Sequence, residues 1–206
     1  RNGREDAMVM AFELLDAAEV MRRWPQWLDV GEQRVTLRAA PDERDAALAH
    51  INRDLHALGL VVAWRDETYA VVTALGAPPL ARIERASSRF WGTLTFGAHC
   101  NGYVAYEHGR PTHLWIARRA ASKATDPGKL DNLVGGGVPH GQTPFETMVR
   151  EGFEEAGLDA QTMRHAATGS VLHLRCDIAE GFMNEHLHIF DLQLAQEATP
   201  VNQDGE

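Results

Sequence analysis

The stretch "GGGVPHGQTPFETMVREGFEEAGL", Gly135–Leu158, sets a run of three glycines ahead of a helix-forming segment that carries four glutamates. Thr143 is a favoured N-cap residue, Pro144 suits the first helical position, and Glu146 completes a capping box. Gly157 stands where a helix commonly ends. The segment therefore predicts a helix that begins after Thr143 and ends before Gly157, with Glu146 belonging to its cap.

The other three glutamates of this helix, Glu151, Glu154 and Glu155, lie at positions i, i+3 and i+4 and share one face. Like charges at this spacing cost roughly 0.2–0.5 kcal/mol per pair, and the helix dipole disfavours anions in the last turns. Gly152 costs roughly 1 kcal/mol more relative to alanine. A solvated face is one interpretation. The other is a hard divalent cation such as Mg²⁺, which prefers carboxylate oxygens and would reverse the repulsion.

The bulk properties exclude several classes of protein. The chain has 206 residues, a net charge of −9 and two cysteines, Cys100 and Cys176. This charge argues against a general nucleic-acid binder, and two cysteines form neither a disulfide framework nor a metal-ligand spacing. No apolar run approaches the roughly 18 residues that span a bilayer. We therefore expect a cytoplasmic protein that binds neither nucleic acid nor membrane, and the sequence leaves a homodimer open.

The chain divides by texture into two predicted domains. A small α+β domain is expected at residues 8–89, and a second domain at residues 90–206 contains strand-like runs around the glutamate helix. The runs are "FWGTLTFGAHCNGYVAYEHG", "THLWIARRA", "SVLHLRCDI" and "NEHLHIFDLQL". Strands with one embedded helix predict a mixed sheet in an α/β or α+β sandwich, and we expect the α+β class.

Local signals place several elements of the first domain. An apolar face from Phe12 to Val20 predicts a helix that ends near Pro25. A second helix is predicted from Asp42 to Leu58, with Gly59 at its end. The run "LVVAWRDETYAVVTA" is interpreted as a hairpin that turns at residues 65–67.

From Gly136 to Leu158 the sequence resembles the Nudix box, in which a glycine, five residues, a glutamate and seven residues precede R-E-U-x-E-E-x-G-U, with U aliphatic. The matching residues are Gly136, Arg150, Glu151, Glu154, Glu155, Gly157 and Leu158. Two positions depart from the pattern. Gln142 replaces the first glutamate and is not expected to be a metal ligand because it carries no charge. Gly152 replaces an aliphatic packing residue.

The resemblance implies an α/β/α sandwich and a divalent-metal-dependent hydrolase that cleaves a phosphoanhydride bond of a small diphosphate compound. Carried over by position, Glu151, Glu154 and Glu155 would hold Mg²⁺ or Mn²⁺. Arg150 would orient Glu151, and both count as catalytic residues. Glu151 is one candidate for the general base, which stays unassigned because it differs among Nudix enzymes.

A narrower resemblance covers residues 10–206. The stretches "FGAHCNGYVAY" and "ARRAASKATDPGKLDNLVGGGVPHG", with the N-terminal unit, are similar to Nudix proteins that carry a DUF4743 domain and are related by label to thiamine pyrophosphokinase. This implies thiamine diphosphate or a damaged analogue as the substrate. Members of this group continue past the equivalent of "NQDGE", so we expect the native protein to be longer, with the second domain truncated here.

Further residues near the glycine run are candidates for binding a diphosphate. Glycines allow a backbone turn close to a ligand, and arginine and lysine match phosphate oxygens. The predicted substrate-binding residues are Gly136, Gly137, Arg118, Lys123, Lys129 and His140, with Arg119 as a neighbour. A solvated basic loop is the alternative interpretation for the cations.

Two rival functions remain open at the level of sequence. A prenyl diphosphate isomerase shares the Nudix scaffold but needs a proton donor, for which Cys100 is the nearest candidate. A non-catalytic ligand sensor is the second rival. Three crowded carboxylates argue against the sensor, because a pure binding module does not need them.

Overall fold

The computed structural model describes residues 8–10, 19–32, 34–105, 110–122 and 127–203. These residues form two compact units. The first comprises the described residues up to Thr95 together with Leu174–Glu185, and the second comprises Phe96–His173 together with His186 onward. None of the helices in this part of the chain combines the length and apolar character that a membrane crossing requires.

Four helices and twelve strands lie wholly within the described residues and are numbered here in chain order, and residues 19–21 are the end of a further helix. The helices are α1 Arg44–Ala57, α2 Ser87–Trp91, α3 Pro144–Ala156 and α4 Ala160–Met163. The strands are β1 Met8–Met10, β2 Leu28–Val30, β3 Val35–Leu37, β4 Thr68–Val71, β5 Ala81–Glu84, β6 Thr95–Ala105, β7 Pro111–Trp115, β8 Ala117–Arg118, β9 Leu130–Asp131, β10 Val134–Gly137, β11 Ala167–Ile178 and β12 Gly181–Leu194. The predicted α+β fold class is confirmed.

The first unit packs α1 against strand β5. The predicted second helix is confirmed, because α1 buries Leu48, Ile51 and Leu55 completely and is followed by Gly59 with a φ of 74°. The first predicted helix, from Phe12 onward, lies outside the described residues except for its end. Strands β1, β3 and β2 form a separate antiparallel sheet in that order.

The hairpin predicted to turn at residues 65–67 is wrong. Residues 64–67 form no strand, and β4 pairs instead with β5, with Thr68 opposite Glu84. The chain therefore turns later, between Val71 and Ala81, in a segment that includes Gly76 with a φ of 76°. Trp64 is fixed outside the strand, because its indole N–H donates to the carboxylate of Asp66 at 2.7 Å.

The second unit is built on a five-stranded sheet whose strands follow the order β10-β6-β12-β11, with β7 also paired to β6. The pairings of β10 and β7 with β6 are antiparallel. In the described part of the chain β10 pairs only with β6, so β10 lies at an edge of the sheet. Helix α3 packs against β10, and this contact places the glutamates beside the glycine run.

Local sequence explains where α3 begins. Thr143 accepts a hydrogen bond from the Glu146 backbone N–H at 3.2 Å, and the Glu146 carboxylate accepts from the Thr143 N–H at 2.8 Å. The predicted capping box is therefore confirmed. The Thr143 backbone N–H and the Thr143 hydroxyl both donate to the Glu146 carboxylate, and these two bonds hold the pKa of Glu146 below its usual value.

The end of α3 is fixed by glycine and by a later segment of the chain. Gly157 adopts the left-handed conformation with a φ of 65°, as predicted. The last turn leaves carbonyl groups that need donors. The N–H groups of Val201 and Gln203 donate to the carbonyls of Ala156 and Glu154 at 2.9 and 2.8 Å. These two hydrogen bonds therefore fix the last turn of α3, which carries Glu154 and Glu155.

Candidate active site

The glycine run forms a strand and not the turn expected from the sequence. Gly135, Gly136 and Gly137 belong to β10, opposite His99, Ala98 and Gly97 of β6. None of the three glycines has a positive φ. Their lack of a side chain matters for a different reason. A Cβ on Gly136 would overlap the Glu151 carboxyl group and would stand only 2.6 Å from the Glu151 Cγ. Glycine at this position leaves room for the carboxylate.

Arg150 joins two of the three predicted metal ligands. Its Nη2 donates to Glu151 Oε1 and its Nη1 to Glu154 Oε2, both at 2.7 Å. The side chain of Glu151 is only 14% exposed, whereas that of Glu154 is 40% exposed. The hydrogen bond to Glu151 is consistent with the expectation that Arg150 orients this residue. The second nitrogen of the same forked guanidinium group holds Glu154.

The stabilisation from the two Arg150 hydrogen bonds is large enough to offset the repulsion among the glutamates. A hydrogen bond to a charged group contributes about 1.5–3 kcal/mol when shielded, and the contact with Glu151 is of this kind. The contact with Glu154 is half exposed and contributes less than about 1 kcal/mol. Repulsion between like charges costs only roughly 0.2–0.5 kcal/mol per pair. The helix is therefore stable with its carboxylates crowded.

Glu155 reaches the glycine strand directly. Its Oε2 accepts the backbone N–H of Gly135 at 2.7 Å. This bond ties the last predicted ligand to β10, while Glu151 lies against the next glycine of the same strand. Glu151 and Glu155 thus lie against the glycine run at one edge of the sheet, and Arg150 joins Glu154 to Glu151.

The two departures from the Nudix box have structural explanations. Gly152 is buried against Met163 of α4, and a Cβ at position 152 would stand 2.6 Å from the Met163 methyl carbon. Met163 therefore fills the space of the missing aliphatic side chain. Gln142 accepts a hydrogen bond from the buried Thr147 hydroxyl at 3.0 Å, so its neutral oxygen serves the loop before α3.

The donor chemistry of this site fits a divalent cation. Three carboxylates are the oxygen ligands that Mg²⁺ and Mn²⁺ take, and Gly136 keeps the space beside Glu151 open. Within the described residues, however, no three His, Cys, Asp or Glu side chains converge as they would around a metal ion. The reason is visible in the contacts, since Glu151 and Glu154 turn an oxygen to Arg150 and Glu155 turns one to Gly135.

The predicted substrate-binding cations are placed in or near a hairpin. Strands β8 and β9 pair with Arg118 opposite Leu130, and Arg118 donates to the carbonyl of Gly128 at 3.0 Å. Arg119 forms a salt bridge of 2.6 Å with Asp131. Both arginines are thus engaged in the hairpin itself.

Two further predicted contacts lie beside this hairpin and in the loop before α3. Lys129 is exposed beside β9, and His140 is exposed in the turn before α3. Lys123 lies outside the described residues. That these three residues bind a diphosphate stays a prediction.

Cys100 does not suit the role of a proton donor to a substrate. It is fully buried on β6. Burial, with the nearby negative charge of Asp191, raises the pKa of the thiol to about 12. The prenyl diphosphate isomerase alternative loses the donor that the sequence suggested for it, since a thiol enclosed by the protein cannot face an alkene.

The histidines of β11 and β12 form an aromatic cluster in the second unit. His173 stacks on His186 with ring centroids 3.8 Å apart, and Phe96 lies against His186 and His188. Burial is the first cause that lowers the pKa values of His186 and His188, and the neighbouring histidines add to it. Lowered pKa values favour neutral rings that pack.

Sequence reasoning missed a chain of polar side chains next to the glycine strand. His99 contacts the Asn132 side chain at 2.9 Å, Asn132 donates to Asn101 at 2.6 Å, and Asn101 donates to Asp191 at 2.9 Å. Three of these residues lie in the two stretches that carry the narrower resemblance. Neutral polar residues in strands gave no signal of their own.

Two family models match the chain. The model of the NUDIX domain matches residues 101–206, and the model of the domain of unknown function DUF4743 matches residues 14–95. The chain therefore belongs to the Nudix family, in the group with an N-terminal DUF4743 domain.

Two chloroplastic Nudix hydrolases of Arabidopsis thaliana are similar to this chain. Nudix hydrolase 24 is 40% identical over 81% of this chain and 45% of its own length, and Nudix hydrolase 20 is 39% identical over 81% and 44%. The chain spans about half the length of these relatives. A solved structure, DR0079 from Deinococcus radiodurans, aligns with a TM-score of 0.46 at 23% identity, over 68% of this chain and 78% of that one.

Proposed function

We propose that this protein is a divalent-metal-dependent hydrolase that cleaves a phosphoanhydride bond of a small diphosphate compound. The observation that carries the proposal is the set of three glutamates on one face of α3, two of which contact the glycine strand. Glu151 lies over Gly136, and Glu155 is bonded to Gly135. The membership in the Nudix family, whose members generally use Mg²⁺, supports the same chemistry.

The residues of this chain would perform three tasks. Glu151, Glu154 and Glu155 would hold the cation, and Arg150 would keep Glu151 oriented through its fork. The bound cation supplies neutralisation of the diphosphate oxygens and activation of the attacking water. Glycine at position 136 keeps backbone and carboxylate close, so that the reaction centre is assembled before substrate arrives.

Thiamine diphosphate or a damaged analogue is our proposed substrate, based on the narrower resemblance. The exposed Lys129 and His140 are the proposed contacts for its phosphates, together with Arg118, Lys123 and the glycines at 136 and 137. The cytoplasmic setting, a homodimer and a domain boundary at residue 89 stay predictions from the sequence.

The test is an assay of phosphate or monophosphate release with Mg²⁺ and a panel of diphosphates that includes thiamine diphosphate and its analogues. We expect Glu154→Gln and Glu155→Gln each to lower kcat at least about 100-fold, since each removes one charge from the ligand set. Glu197→Gln, at an exposed position outside the site, is the matched control and should keep wild-type activity.

Two results would contradict the proposal. Activity that is unchanged in both glutamine variants would remove the metal assignment. Measurable binding of a diphosphate with no turnover of any member of the panel would favour the sensor.

A further inference from the structure

The chain of polar side chains beside the glycine strand has no role in the chemistry described so far. It runs from Asp191 on β12 through Asn101 on β6 to Asn132, just before β10, and ends at His99 on β6. Its three contacts measure 2.9, 2.6 and 2.9 Å, and all four side chains are partly buried. Such a chain is a single hydrogen-bonded unit rather than a set of surface contacts.

The chemistry of its end residue fixes the direction of every bond in the chain. An ionised carboxylate can only accept, so Asn101 must turn its NH₂ group toward Asp191 and its carbonyl toward Asn132. Asn132 must then donate to that carbonyl and turn its own carbonyl toward His99. A carbonyl also only accepts, so His99 must carry its proton on Nδ1.

His99 is thereby set to donate from Nδ1. Two ring nitrogens in one imidazole are distinguished by the bond that one of them makes. Among the described residues, Nε2 has no hydrogen-bond partner, and it faces Gly135: a Cβ there would stand 3.1 Å from this nitrogen. The imidazole therefore packs directly on the glycine.

Gly135 is the residue at which this chain meets the glutamate site. One side of it supports the imidazole of His99, and its N–H donates to Glu155 Oε2 at 2.7 Å. A shift of Gly135 would lengthen the bond to Glu155. The orientation of that carboxylate thus depends on what holds Gly135.

We propose that His99 is a positioning residue, held as its Nδ1–H tautomer by the chain that starts at Asp191, and that it fixes Gly135 for the hydrogen bond to Glu155. The inference rests on the proposed function only in treating Glu155 as part of the reaction centre. It assigns a task to residues that contact neither the cation nor the substrate.

The tautomer is tested in the wild-type protein by nitrogen-15 NMR of histidine side chains, without substrate or activity. We expect His99 to show a protonated Nδ1 and an unprotonated Nε2. A protonated Nε2, or a mixture of tautomers, would overturn the proposal. Absence of hydrolase activity would leave this result unaffected, so the two proposals fail independently.

The link to Glu155 is tested with Asn132→Leu, which keeps the branching of the side chain and removes the bond to His99. We expect the Nδ1–H tautomer to be lost and the Gly135 amide to exchange with solvent about five-fold faster, the effect of one neutral hydrogen bond. With any diphosphate that is turned over, kcat should fall about five-fold while KM is unchanged, because the hydrogen bond between Gly135 and Glu155 does not contact the substrate.

Asn184→Leu is the matched control. Its amide bonds only weakly to the Gly92 carbonyl, at 3.4 Å in the first unit, and its loss should leave the tautomer and the Gly135 amide as in the wild type. A folded Asn132→Leu protein with the wild-type tautomer and wild-type exchange at Gly135 would refute the positioning role.

Discussion

The contact between Gly152 and Met163 predicts that one substitution will have opposite effects in two backgrounds. A Cβ at position 152 would stand 2.6 Å from Met163 Cε and 2.7 Å from its Sδ, well inside van der Waals contact. Both residues are fully or nearly fully buried between α3 and α4. Gly152→Ala should therefore crowd Met163, whereas the same change beside an alanine should fill empty space.

The magnitudes follow from opposing contributions to the free energy of unfolding. In the wild type, alanine gains roughly 1 kcal/mol of helix propensity over glycine, but overpacking costs roughly 1–3 kcal/mol. The net change is a destabilisation of about 0–2 kcal/mol. In the Met163→Ala background the overpacking is absent and a buried methyl adds about 0.8 kcal/mol. Gly152→Ala should then stabilise by about 2 kcal/mol, although Met163→Ala alone costs about 2–5 kcal/mol.

The assay is urea denaturation of the four proteins of this double-mutant cycle. Circular dichroism reports the transition, and exchange of the α3 amides identifies the part that belongs to the second unit. We expect a coupling free energy of about 2–4 kcal/mol between the two positions, the difference between the two effects, where residues in contact show up to about 3 kcal/mol. Equal effects of Gly152→Ala in both backgrounds would refute the idea that Met163 replaces the aliphatic side chain of the Nudix box.

Three further predictions concern the site and its surroundings. Gly136→Ala should lower hydrolysis at least about ten-fold, because the new methyl group displaces the Glu151 carboxylate; steady-state kinetics measures this. At pH 8 iodoacetamide should label the exposed Cys176 and not Cys100, since a thiol with a pKa of about 12 is only about one part in ten thousand thiolate; mass spectrometry reads the labelling. Because the capping threonine's backbone and side chain lower the pKa of Glu146, its stabilisation is present at neutral pH and is lost as the pH falls below 4.5 and through that lowered pKa; the stability gap to Glu146→Gln should close over this range.

Each of these experiments has an internal control. Gly31→Ala adds a methyl group that meets its nearest neighbour at an ordinary 3.5 Å, so it should leave hydrolysis unchanged. Denaturation in urea should make Cys100 as reactive as Cys176. Labelling of Cys100 in the folded protein would show that this side chain is accessible, and a pH-independent stability gap for Glu146 would show that its charge plays no part in the cap.

The helix at the centre of the site was predictable because its signals are local. The cap at Thr143, the proline that follows it and the glycine stop at position 157 act within one or two turns, and all three appear as expected. The spacing of the glutamates on one face also follows from helix geometry alone. Function could be inferred for the same reason, since the charges that conflict with helix stability are visible in the sequence.

Strand pairing could not be predicted in the same way. The run Thr68–Val71 pairs with Ala81–Glu84, which follows it after a loop, and not with the apolar run before it. Pairing depends on packing against distant elements such as α1, which no local pattern encodes. The prediction for the glycine run was wrong for a related reason. Glycine is suited both to a turn, where it adopts unusual backbone angles, and to a strand that needs a small residue, and the sequence does not distinguish the two.

The polar chain from Asp191 to His99 was invisible to sequence reasoning. Its members are far apart in the chain, and each one alone is an ordinary residue of a strand or loop. Only the pairing of β10 with β6 brings His99 beside Gly135. Three of the residues lie in the stretches that carry the narrower resemblance, but nothing in those stretches marked them as functional.

The bond between Glu155 and Gly135 also bears on self-association. Strand β10 has one pairing partner in the described part of the chain, and an edge strand rich in glycine offers backbone groups to any other extended chain. A negatively charged side chain that occupies the Gly135 N–H blocks one of these groups and repels an incoming acidic copy. The Glu155 carboxylate therefore disfavours the addition of a strand from another molecule, and a variant that lacks it should aggregate more readily through β10.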